Sequence, residues 1–352
     1  MKLKSSNIKN IIQWILAFAL AFGLANLLIL PYWYAPGWVL RDFGSTPAIY
    51  HAGKTVLNGY EGYGFATVDE RGYLNEDKPL ADEVVLVLGC SHTKGIEVPM
   101  DKRYTSLLND MVSGGDDSKL YVYNMAIDGF YFPQIAAGFG AALQEIPSVS
   151  SIIIEIPTTE YAPTDFVGYS SRQYSADFTG TTAFENQGLS SKLQTAIKET
   201  FPLASLYLSK QFVFEESNKT PFLYNVTTTK ENPFPPNIQG DYQLAIQNSF
   251  EAMRSLWDGE IIVIYHPKIE LQSDGSMKML DSISVPWFAE VCSQYNIKLI
   301  GSGGVWLDAY QKDYTVPYGF SNTAPGQGHL NEDGHKLLAD LIYEFMEGGK
   351  KQ

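Results

Sequence analysis

Cysteine is nearly absent from this chain, with only Cys90 and Cys292 among 352 residues. A disulfide framework is therefore excluded. Cys90 follows an apolar run and Cys292 lies on a helical pattern, so both read as unpaired buried thiols. Histidine is scarce as well: the five, at 51, 92, 266, 329 and 335, are scattered, and none pairs with a cysteine at zinc spacing. No metal and no other cofactor is expected. Basic residues are outnumbered, 25 against 39 acidic, for a net charge of −14. That field argues against nucleic acid or a strongly anionic polymer as the main ligand and fits a neutral glycan or small ester better. Internal repeats and low-complexity tracts are also missing.

Long apolar runs are absent with one exception. Lys2, Lys4 and Lys9 precede a stretch from Ile11 to Tyr34 that carries no charged residue. About 20 apolar residues span a bilayer core as a helix, so 11–34 is predicted to be a transmembrane anchor. The lysines before it and Arg41-Asp42 after it predict a cytoplasmic segment 1–10 and an extracytoplasmic remainder. Tyr32, Trp33, Tyr34 and Trp38 form an aromatic belt on the far side. A cleaved signal peptide ending near Ala17-Phe18-Ala19 is the rival reading, but signal-peptide apolar regions run only about 7–15 residues.

Residues 35–80 are rich in Gly, Tyr and Asn, as in Asn58-Gly59-Tyr60-Glu61-Gly62-Tyr63-Gly64, and read as a membrane-proximal linker packed along the domain edge. From Val84 the pattern alternates. Apolar runs at Val84–Leu88, Leu120–Met125, Ile152–Ile156, Ile261–Tyr265 and Ile297–Ile300 read as strands, with helical periodicity at 102–112, 133–145, 241–256, 280–295 and 334–347. This predicts βαβ units and a doubly wound α/β domain over 81–347, with a five-stranded parallel sheet covered on both faces. Residues 158–240 interrupt the alternation and read as an insertion at the same sheet edge, either a lid or acceptor-binding element or padding over one sheet face.

Two short segments carry the chemistry. Val84-Val85-Leu86-Val87-Leu88-Gly89-Cys90-Ser91 is a strand that ends at a glycine and delivers a serine into the following turn. Such turns lie at the C-terminal edge of a parallel sheet, where open α/β sheets form their sites. A serine hydroxyl is a poor nucleophile alone and needs an imidazole to take its proton. Gly328-His329-Leu330-Asn331-Glu332-Asp333-Gly334-His335 supplies one just before the last helix. Ser91 is thus the candidate nucleophile, preferred over Cys90, whose apolar thiol suits the core. His329 is the candidate base. His335 falls in the first turns of a helix and reads as solvent-facing, His92 is a candidate substrate contact, and His266 reads equally as a substrate contact or as packing.

These segments resemble the SGNH (GDSL-like) hydrolase superfamily, which carries its nucleophile in a G-D-S motif after the first strand and its histidine in a late D-x-x-H motif. Gly89-Cys90-Ser91 matches with Cys in place of Asp; the second block matches at His329, Asn331 and Gly334, with Gly326 where the acid would stand. The resemblance covers 81–347 and implies a flavodoxin-like sheet and serine-dependent transfer of an acyl group, with acetyl the expected one, to water or to a sugar hydroxyl of an envelope glycan. It also implies an oxyanion hole from the Ser91 amide, Gly129 after the second strand, and Thr159 where the family has Asn. With Gly326 unable to orient the imidazole, either the site is a Ser-His dyad oriented by a backbone carbonyl or an acid arrives from elsewhere, with Asp308 after the last strand the nearest in sequence and Glu155 and Glu160 also open. Membrane-anchored forms that resemble this layout serve bacterial polysaccharide O-acetylation beside a multi-pass membrane acyltransferase, which would be the partner. The rival is a non-catalytic glycan-binding or assembly protein that keeps the fold, which the departures at Cys90, Thr159 and Gly326 favour.

Overall fold

The computed structural model describes residues 5–25, 53, 55–58, 61–76, 80–113, 120–170 and 238–349. The first helix, α1, spans Ser5–Leu24. Among the described residues no helix is long and apolar enough to cross a membrane. Positions 26–34 of the span predicted at 11–34 lie outside the described residues, as do 171–237 of the predicted insertion.

Two short strands, β1 (Thr55–Asn58) and β2 (Gly64–Thr67), pair antiparallel. The central sheet follows, with β3 (Glu83–Leu88), β4 (Leu120–Asn124), β5 (Val149–Ile156), β6 (Glu260–Tyr265) and, after the β7 (Lys268–Leu271) and β8 (Met277–Leu280) hairpin, β9 (Lys298–Gly301). Its order is β4-β3-β5-β6-β9 and every pairing is parallel. The predicted helices are present as α3 (Tyr104–Ser113), α4 (Phe132–Glu145), α6 (Gln239–Leu256), α7 (Ser284–Gln294) and α9 (Glu332–Gly349). Among the described residues three more were not predicted: the short α2 (Ser91–Lys94), α5 (Pro163–Ser170) and α8 (Gly303–Asp313). The β7–β8 hairpin takes up the start of the helix expected from 280, which begins at Ser284.

Strand side chains alternate between two cores. Leu86, Leu88, Ile152, Ile154, Ile261 and Val263 pack with Phe132 and Phe139 of α4, Phe250 of α6 and Phe288 of α7. Val85, Val87, Ile153, Ile262, Ile264 and Ile300 face Leu108 of α3, Trp306 of α8, and Leu338 and Ile342 of α9. Both faces are covered, which is why the strands read as continuous apolar runs rather than alternating ones. Each fully buried side chain of this size contributes about 1.5–3 kcal/mol. The chain leaves β3 for β4 on one side and reaches β5 on the other, so the strand order reverses at the end of β3, where such sheets place their ligands. Ser91 opens the helix after that strand.

Candidate active site

The turn after β3 is fixed from beneath by Glu155 of β5, which is fully buried. Its Oε2 accepts the Cys90 backbone N–H at 2.9 Å and the Thr93 hydroxyl at 2.7 Å, and its Oε1 lies 2.5 Å from His266 Nε2. Burial opposes ionisation of Glu155, but His266, His92 and Thr93 outweigh it and bring the carboxyl down to about 2. Gly89 is required here, since any Cβ would strike Thr93 Oγ1 and Glu155 Oε2. Cys90 points inward, and burial and the Glu155 charge push its thiol well above its ordinary range. Ser91 stays partly open.

His329 arrives from the loop before α9. Asn331 caps that helix, accepting the Gly334 N–H at 2.9 Å, while its amide donates to the Val316 and Gly319 carbonyls. His92 Nδ1 accepts the Leu330 N–H at 3.3 Å, which ties the nucleophile helix to the histidine loop. The result is a short contact: Ser91 Oγ lies 2.8 Å from His329 Nε2.

The third member is Glu61, in the turn between β1 and β2. Its Oε2 is 2.7 Å from His329 Nδ1, and its Oε1 accepts the His329 backbone N–H at 2.7 Å. Glycines let this turn approach. Gly62, at φ +65°, abuts the Glu97 carbonyl, and Gly328, at φ +78°, abuts the Glu61 carboxylate. The Gly62 N–H also donates to Asn322 Oδ1 at 2.9 Å. Burial disfavours ionised Glu61, but its hydrogen bonds and charge interaction with His329 prevail and lower its pKa. For His329, burial disfavours the imidazolium, yet the Glu61 hydrogen bond and the charges of Glu97, Glu61 and Asp128 raise its pKa. With Nδ1 held by a carboxylate, Nε2 is the nitrogen left to accept the Ser91 proton.

The segment after β4 borders the same edge. Ile127 donates its N–H to the Gly89 carbonyl at 3.0 Å, and Asp128 meets Lys94 of α2 at 2.5 Å. Gly129 follows at φ +72° with nothing where a Cβ would stand. Neither the Ser91 nor the Gly129 N–H has a protein acceptor among the described residues, which suits both to a developing oxyanion.

Several residues read from the sequence are placed elsewhere. Asp308 is exposed on α8, Glu160 is exposed beyond β5, and Glu155 serves His266; the carboxylate on His329 belongs to Glu61 instead. Thr159 is fully buried with its hydroxyl 2.8 Å from that of Ser284, so it is committed to packing rather than to an oxyanion. His266 is not a substrate contact: it is fully buried, with one ring nitrogen on Glu155 and the other 2.8 Å from the Tyr318 hydroxyl. His335 is not solvent-facing either. It is buried in α9, its Nδ1 accepts the Tyr104 N–H at 3.2 Å, and burial with the Arg103 charge takes its pKa down to about 3. His92 packs between the rings of His266 and His329, at 4.7 and 4.9 Å, and burial drives its pKa well below the usual imidazole range. Sequence reasoning missed Glu61. Its one local signal is an acid alone within a glycine- and tyrosine-rich turn, 268 positions from its partner.

No protein-family model and no curated protein matches this chain. Solved structures similar in backbone include a two-domain esterase active on acetylated mannans, at 11% identity and TM-score 0.40, covering 77% of this chain and 51% of that one. An acetylxylan esterase from Geobacillus stearothermophilus, in a catalytic mutant form, matches at 12% identity and TM-score 0.37, covering 76% and 95%. A protein described as lipolytic and of the G-D-S-L family, from Desulfitobacterium hafniense, matches at 12% identity and TM-score 0.37, covering 75% and 98%. The chain thus spans about half the length of the first of these. Likeness at this level decides nothing about chemistry, which rests on the residues themselves.

Proposed function

We propose that this chain is a serine ester hydrolase in which Ser91, His329 and Glu61 act as one unit. The observation that carries this reading is the unbroken connection from Ser91 Oγ through both ring nitrogens of His329 to Glu61. In attack, Ser91 Oγ bonds to the acyl carbon as its proton passes to His329 Nε2. The Ser91 and Gly129 amides hold the oxyanion, and Glu61 stabilises the imidazolium. Collapse breaks the bond to the leaving alkoxide, which takes the proton from His329 and leaves acyl-Ser91. Water then gives a proton to His329 and attacks the acyl carbon; the bond to Ser91 Oγ breaks, Oγ takes that proton back from His329, and the acid leaves.

For the substrate, the acidic chain and the G-x-S and late-histidine motifs support a short acyl ester, acetyl first, on a neutral glycan. A sugar hydroxyl in place of water would make the same intermediate a transferase. The charge-free 11–34 run with its preceding lysines supports that second reading, with the domain tethered outside the membrane near a multi-pass acyltransferase.

Hydrolysis of an activated acetyl ester by the full chain tests the proposal. kcat/KM is expected to be full above the His329 pKa and to fall as pH drops through it, because the imidazolium cannot accept a proton. As that pKa is raised, the midpoint belongs above about 6.5, the ordinary imidazole value. A midpoint clearly below that value, or no turnover, contradicts it.

A further inference from the structure

Glu97 is a buried carboxyl group that the steps above leave unused. It lies in the loop after α2, with its side chain 7% exposed and its Oε1 3.6 Å from His329 Nδ1, the nitrogen that Glu61 already holds at 2.7 Å. Its Oε2 has no hydrogen-bond partner among the described residues. The β1–β2 turn seals it: Gly62 abuts its carbonyl and Gly64 abuts those of Ile96 and Val98. A buried acid with an unpaired oxygen is costly as packing alone, but a cation forming 3.6 Å away offsets that cost. His329 becomes such a cation at each proton transfer.

We propose that Glu97 is a second carboxylate acting on His329, a positioning residue that stabilises the imidazolium and so helps set the pH range in which His329 can act as a base. The inference rests on the serine-hydrolase reading for its purpose, but not for its central measurement. Other groups facing this pair are Glu61 from the hairpin turn, Asp128 (paired with Lys94), His92 from α2 and His335 from α9. His92 and His335 are held neutral by burial, so the charges on His329 come from Glu61, Glu97 and Asp128. Burial lifts Glu97 to about 7 despite the pull of His329. The two groups therefore titrate as a coupled pair, the charged form of each favouring the charged form of the other.

The test is Glu97→Gln in the full chain, read by pH profile and by NMR titration of the His329 ring. Loss of a facing carboxylate should move the acid limb of kcat/KM, and the ring's own midpoint, about one pH unit lower, with KM little changed. Glu97→Met, an apolar replacement of similar volume, should give the same shift and serves if the Gln variant does not fold. An unmoved ring midpoint in a folded variant overturns the proposal and leaves Glu97 as packing. If the chain proves to hydrolyse no ester, the ring titration still decides the inference, so the two failures are distinguishable.

Discussion

Ser91→Ala and His329→Ala are each expected to lower ester turnover by about 10⁶-fold, and the double variant to be no worse than either single one. Groups that act as one unit are strongly non-additive, because each is useless without the other. The 2.8 Å contact between Ser91 Oγ and His329 Nε2 makes that expectation specific to this pair. Cys90→Ser should retain most activity, since its thiol faces the core beside Glu155 rather than the open edge. Steady-state rates on an activated acetyl ester, with folding checked by circular dichroism, decide the matter. Additive losses would mean that the two residues do not share a step.

Glu61→Gln carries the second large effect. A carboxylate on Nδ1 fixes the tautomer and stabilises the imidazolium; an amide can present an N–H to that nitrogen and favour the wrong tautomer, at a cost of about 10⁴-fold in turnover. Asp308→Asn, by contrast, should stay within about twofold, as expected of an exposed position away from the site. The pair of measurements separates the acid supplied by the hairpin turn from the one nearest in sequence to the last strand. Equal losses in both, or a larger loss at Asp308, would contradict the assignment of Glu61.

What was legible in the sequence follows from the range of the interactions involved. The five sheet strands could be read because each is a local apolar run, and a parallel sheet buried on both faces needs such runs. Ser91 and His329 were legible because each sits at a punctuated boundary, strand to helix or loop to helix. Glu61 was not, because its role depends on a glycine-mediated approach of a two-stranded hairpin to loops hundreds of residues away, and nothing local in Glu61-Gly62 encodes that contact. Thr159 illustrates the opposite failure. Its place in the chain matched a motif position, but a buried hydroxyl must find a partner, and Ser284 provides one on the adjoining helix. The same burial decides His266, whose packing reading holds, and overturns the solvent-facing reading of His335: the strand end and helix start that carry them are covered by Tyr318 and Tyr104, so they serve the core beneath the site.

The central claim is that Ser91 forms a covalent acyl intermediate. Incubation of the full chain with a fluorophosphonate, followed by intact-mass measurement and peptide mapping, tests it most directly. One adduct per chain is expected, located on Ser91, lost in Ser91→Ala and greatly slowed in His329→Ala. An unlabelled wild-type chain, or a folded Ser91→Ala protein labelled as fully as wild type, would contradict it.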